Sequence, residues 1–206
     1  INDIYADCEA LATFGTTTFD DGLHYRLEGY QESGEELSRL IAQDFCKSTD
    51  TLEIHSPNIK NIYLTTNKDS LILEFDKSQN MVFPQKKADN SQKSFLDLRN
   101  FIYLDGKAGN IASGSSSGNQ IILKLKQAQN VQTVSYTPDF YTFDMLQYLP
   151  EAIPPITNSR GLKAFTFKDY PVSVTKKTET ITLSGKWEIN KKIQINVRIY
   201  EVYFII

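Results

Sequence analysis

The sequence predicts an α+β protein, with a terminal strand–helix piece of an α/β unit over residues 1–50 and a mainly antiparallel β-sandwich region over residues 51–206. Two observations carry this prediction. From Gly29 onward the apolar positions Tyr30, Leu37, Leu40, Ile41 and Phe45 recur at spacings near 3.6, with Glu32, Glu35, Glu36, Arg39 and Gln43 elsewhere on the cylinder. After residue 50 the pattern changes to short β-branched and aromatic runs separated by turn residues.

Before the helix, Asp3–Cys8 suits a strand and Phe14–Asp21 reads as a Gly/Thr-rich loop. Glu residues crowd the first turns of the helix, where the macrodipole favours negative charge. One strand and one helix cannot bury both their faces alone, so this part is expected to need a partner surface. In the second part, Ile59–Thr66, Ser70–Phe75, Phe101–Leu104, Gln120–Lys126 and Val131–Tyr136 read as strands. Alternation is interrupted only by Ile122 in Gln120–Lys126 and is clean in Lys192–Val197. Repeated short strands joined by polar turns predict the sandwich. Gln85–Lys93 reads as a polar loop, and Ile181–Ile189 with Ile193–Ile206 as a closing hairpin or meander.

Composition narrows the function classes. A net charge of −3 and a pI near 5.5 give no broad basic surface, which argues against nucleic acid as the main partner. No apolar run approaches the ~18 residues of a membrane-spanning helix. Ile1-Asn2-Asp3 carries no initiator Met and no leader pattern, and reads as a chain cut from something longer. Cys8 and Cys46 are too few for a disulfide scaffold or zinc site; one disulfide and two buried free thiols both stay open.

Asp21-x-x-His24 is the strongest chemical constellation. A hydrolase that attacks through Ser needs a neutral imidazole to take the hydroxyl proton, and a carboxylate to fix its tautomer and stabilise the imidazolium. Three-residue spacing in a tight loop can fold the carboxylate back onto the ring, next to a helix that anchors both. Spacing alone does not select catalysis, since roughly one His in twenty has an Asp at that position by composition. Context does.

The block from Asp20 to Leu37 resembles the last signature block of SGNH (GDSL-like) hydrolases, and is similar above all to carbohydrate acetylesterases, sialate O-acetylesterases included. Asp21, His24, Gly29 and Gly34 occupy that block's Asp, His and two Gly positions. A Gly inside a helix costs about 1 kcal/mol relative to Ala, so Gly34 predicts close packing against another backbone. A second segment, Asn158–Phe167, resembles the Asn-x-x-Gly-Leu-Pro-Ala-x-Pro-Phe stretch of sialate O-acetylesterases, with Lys163 and Thr166 where that pattern has Pro.

The resemblance implies a serine-dependent carbohydrate O-acetylesterase acting on acetylated carbohydrate, without metal or organic cofactor, in a secreted or periplasmic setting. It implies His24 as general base and then acid, oriented by Asp21. The family's Ser block and oxyanion donors precede this stretch and are not found here, so the chain by itself is expected to be inactive. A missing N-terminal catalytic segment or a companion chain would carry the Ser. The alternative is a non-catalytic β-sandwich that binds glycans or packs on a neighbouring domain. A third reading is an esterase whose acyl carrier is not a sugar.

Three further features read as structural. Gly114-Ser115-Ser116-Ser117-Gly118 fits Gly-x-Ser-x-Gly, but a strand follows instead of a helix, so it is expected to be a flexible hairpin connection. His55 lacks ligands at metal spacing and reads as a surface-loop residue. Tyr136, Phe140, Tyr141, Phe143 and Tyr148 could stack on sugars, but core aromatics are the commoner outcome.

Overall fold

The computed structural model describes residues 9–16, 24–84, 97–136 and 155–174. The chain divides into two compact units, Ile1–Lys176 and Lys177–Ile206, and the described residues belong to the first. The expected strand at Asp3–Cys8, loop at Gln85–Lys93 and closing hairpin after residue 180 lie outside the described residues.

Among the described residues, one α-helix and mostly antiparallel strands make the unit α+β. Helix α1 spans Leu27–Cys46, beginning two residues before Gly29. No side chain caps its start, although Glu28 sits in the first turn as the dipole favours. It ends where Lys47 turns left-handed (φ 53) and the Ser48 N–H donates to the Ala42 carbonyl at 3.0 Å.

The strands are β1 (Ile59–Leu64), β2 (Ser70–Phe75), β3 (Met81–Val82), β4 (Ile102–Leu104), β5 (Ile111–Ser117), β6 (Gln120–Leu125), β7 (Thr133–Tyr136), β8 (Thr157–Asn158), β9 (Phe167–Pro171) and β10 (Ser173–Val174). They form a five-stranded sheet in the order β10-β1-β2-β6-β5, a three-stranded sheet β4-β7-β9 and the pair β3-β8. All pairings are antiparallel except β1 with β10.

Alternation places Leu71, Leu73 and Phe75 of β2 and Ile121, Leu123 and Leu125 of β6 in one buried core. Ile102 and Leu104 of β4 and Val134 and Tyr136 of β7 belong to that same core. Full burial of each such aliphatic side chain is worth about 1.5–3 kcal/mol. Ile122, which broke the pattern, lies on the opposite face, half-buried and in register with half-buried Ile72.

The Gly-x-Ser-x-Gly stretch is not a flexible connection. Gly114–Ser117 lie inside β5, and only Gly118 (φ 54) and Asn119 form the turn into β6. Neither a strained elbow nor a following helix exists at Ser116. Gly114 is required by packing: a Cβ there would sit 2.3 Å from the Phe83 ring. Strand β5 escapes sequence reading because Ala-Ser-Gly-Ser-Ser-Ser has no strand-forming composition, and as an edge strand it buries only Ile111.

Candidate functional site

His24 is exposed and stands three residues before helix α1. Asp21 lies outside the described residues. The segments flanking this stretch are each fixed to the β region. On the N-terminal side the Ala12 N–H donates to Ser56 Oγ at 2.9 Å, and Phe14 packs edge-on against Tyr136 at 5.6 Å. On the other side stands helix α1.

The helix is mounted with its polar face inward. Gly29, Glu36 and Leu40 are buried, while Leu27, Tyr30, Leu37, Ile41 and Phe45 are exposed, Phe45 by 82%. At 100° per residue the exposed apolar positions form one stripe on the far side of the cylinder from Glu36. Gly34 lies in that stripe, exposed, and a Cβ on it would meet nothing within 4 Å. The close packing expected at Gly34 is therefore absent among the described residues. Its place on the outward face is the physical reason.

What holds the inward face is ionic. Lys163, with a side chain only 2% exposed, places Nζ 2.9 Å from Glu32 Oε1 and 2.9 Å from Glu36 Oε1. A buried ammonium is tolerable only when its donors are met by counter-charge, which these two carboxylates one helical turn apart supply. The second contact lies in the segment that follows the helix. Arg160 forms a fork on Asp50, Nη1 to Oδ1 at 2.6 Å and Nη2 to Oδ2 at 2.8 Å, and also donates to the Leu52 carbonyl at 2.8 Å. The hydrogen bond from Arg160 holds the Asp50 carboxyl below the usual carboxylate range, and Asp50 in turn raises the guanidinium.

Asn158 organises the segment that supplies both cations. Its Nδ2 donates to the Glu53 carbonyl at 3.0 Å and to Gln79 Oε1 at 2.9 Å. Its Oδ1 accepts from the Arg160 N–H at 3.1 Å and the Leu162 N–H at 2.9 Å. All four side-chain hydrogen-bonding positions of the amide are thus used inside the fold. Gly161 adopts φ 88, which a Cβ would oppose, and Leu162 and Ala164 are fully buried. Glu53, itself buried, accepts from the Asn80 side chain at 2.6 Å and from the Ser159 hydroxyl. Asn158, Gly161, Leu162 and Ala164 of the second resembling segment therefore have architectural roles in this chain.

His55 is more than a bare loop residue. Its Nδ1 lies 3.3 Å from Glu9 Oε2, an imidazole–carboxylate pair drawn from positions 46 apart. No local spacing announces it, which is why sequence reading misses it. Tyr136 is core, its hydroxyl accepting from the Ile156 N–H at 2.9 Å; the other four aromatics lie outside the described residues. Cys46 is a free thiol and exposed, where a buried thiol or a disulfide was expected. Among the described residues no group of three or more His, Cys, Asp or Glu is placed to hold a metal, and no helix is long and apolar enough to cross a membrane.

No protein-family model and no curated protein matches the sequence. Among solved structures, the chain is similar to a carbohydrate acetylesterase from Xanthomonas citri, with a TM-score of 0.44 and 14% identity. The match covers 70% of this chain and 28% of that one. A likeness of this degree leaves the function to the residues themselves.

Proposed function

We propose that this chain is the C-terminal portion of a serine-dependent carbohydrate O-acetylesterase, supplying His24 and Asp21 to a site whose nucleophile is carried elsewhere. In this reading residues 1–50 close an SGNH-type α/β hydrolase domain and residues 51–206 form a β-sandwich accessory region. The whole enzyme is secreted or periplasmic.

One observation carries the reading. The two segments that resemble the family stand far apart in sequence yet meet in this fold, through Lys163, the residue that replaces the family's Pro, paired with Glu32 and Glu36 of the first. The outward apolar stripe of α1 supports a companion surface beside His24, because a row of Leu27, Tyr30, Leu37, Ile41 and Phe45 in water is unfavourable until covered.

In the assembled site the Ser hydroxyl attacks the acetyl carbonyl carbon while a ring nitrogen of His24 takes its proton. Collapse of the tetrahedral intermediate breaks the bond to the sugar oxygen, and the His24 imidazolium returns the proton to that oxygen. Water then repeats the sequence on the acetyl-serine and releases acetate. Asp21 keeps the ring oriented and stabilises its charged form.

The test is acetyl release by the polypeptide that joins this chain to its Ser-bearing segment. His24→Ala should lower kcat by roughly 10³-fold or more with an unchanged melting temperature. Retention of wild-type turnover by that variant would end the assignment. A coding sequence upstream of Ile1 without a Gly-Asp-Ser-like block, and no companion chain bearing one, would end it too.

A further inference from the structure

A cavity of about 550 Å³ opens beside His55, within the range of small-molecule sites. It is lined by His55, Asn58, Lys60, Asp76, Gln79 and Phe165, from the loop after helix α1, the facing ends of β1 and β2, and the segment before β9. Glu9 meets His55 at its edge.

The lysine and the carboxylate on the cavity lining are paired: Lys60 Nζ lies 3.2 Å from Asp76 Oδ1. Walls paired in this way hold no unmatched lysine or carboxylate to gather a phosphate or an ammonium group. An apolar ligand fits no better, since it would strip water from the part-exposed Asp76 and Lys60 and return no hydrogen bond.

The polar walls are fixed before any ligand arrives. Asp76 Oδ2 accepts the Asn58 N–H at 2.8 Å, and Gln79 is held by the His55 carbonyl at 3.3 Å and by Asn158 at 2.9 Å. The backbone of Phe165 is tied to the Pro57 carbonyl at 2.9 Å, setting one aromatic wall in place. The complementary ligand is neutral, dense in hydroxyls that both donate and accept, and apolar on one face.

We propose that this cavity binds a neutral pyranose sugar, as a site on the β region that does not depend on the esterase reading. The test records amide resonances of the 206-residue chain during titration with glucose, galactose, mannose and N-acetylglucosamine. Inorganic phosphate and N-acetylneuraminic acid serve as charged probes. At least one neutral sugar should give saturable shifts confined to residues 55–60, 76–79 and 165–166, with a Kd on the order of 1 mM. Asp76→Asn should weaken it by about tenfold or more. Because Asp76 also ties down Asn58, the second variant is Ser78→Trp, an exposed lining position where bulk fills the space; it should abolish the shifts with the fold intact. The proposal is overturned if no neutral sugar produces saturable shifts there, if a charged probe binds more tightly than every neutral one, or if Ser78→Trp binds unchanged. Loss of acetylesterase activity in His24→Ala has no bearing on these shifts, so the two readings fail separately.

Discussion

Strands β2 and β6 turn Leu71, Leu73, Ile121 and Leu123 inward, whereas helix α1 turns Glu36 inward and leaves Leu37, Ile41 and Phe45 in water. Both elements are amphipathic, and they are mounted in opposite senses. The described strands of the β region bury their apolar faces in one shared core. The helix is tied to the β region by Lys163 through Glu32 and Glu36, the segment after it by Arg160, and its apolar stripe stays exposed. Amphipathicity therefore reports that an element has two faces; only the contacts tell which face the rest of the molecule uses.

The contrast is broken most forcefully by one change made in both places. Leu73→Ala should cost roughly 3–4 kcal/mol in denaturant unfolding, because the cavity it leaves lies in a closed core. Leu37→Ala, half exposed on the stripe, should change stability by no more than about 0.5 kcal/mol. Equal costs for the two would mean that the stripe is already covered within this chain. Next in size is Lys163→Met. It leaves Glu36 buried without its cation and should cost about 3 kcal/mol. Adding Glu36→Leu should recover most of that loss, since an apolar pair can replace a buried ion pair; no recovery in the double-mutant cycle would show that the pair is not coupled.

The sequence was informative wherever neighbours decide structure. Strands β2 and β6 follow from period-two alternation, and α1 from its 3.6 period, because a single segment contains the whole signal. Strand β5 does not, since Ser and Gly fill it and its pairing comes from β6 across the hairpin. The orientation of α1 was illegible for a related reason: it depends on Lys163, 127 positions from Glu36. The candidate site divides the same way. Asp21 and His24 are visible as a local motif, while Glu9 and His55 meet only in space.

Smaller effects probe the joint between the two regions. Lys47 ends α1 in the left-handed conformation (φ 53), where a Cβ is strained. Lys47→Gly should raise stability by about 0.5–1 kcal/mol, and a loss on calorimetric melting would show that the Lys side chain makes a compensating contact.

The weakest expected effect has a sign that pH can read. The guanidinium of Arg160 depresses the Asp50 carboxyl below its ordinary value of 3.8 in the folded chain. The unfolded chain therefore binds the proton more readily across that interval. The stabilisation from this pair is fully present above the unfolded value and disappears as pH falls through the depressed folded value. Asp50 is more than half exposed, so salt and solvent screen the pair and keep its contribution small. Arg160→Gln should consequently lower the melting temperature slightly at neutral pH, and the difference from wild type should shrink as pH is lowered below 3.8. A difference that stays constant on acidification would mean that Arg160 acts through the Leu52 carbonyl and not through Asp50. In that event the segment after the helix is fastened by a neutral acceptor, and the ionic tie of α1 to the β region rests, among the described residues, on Lys163 with Glu32 and Glu36.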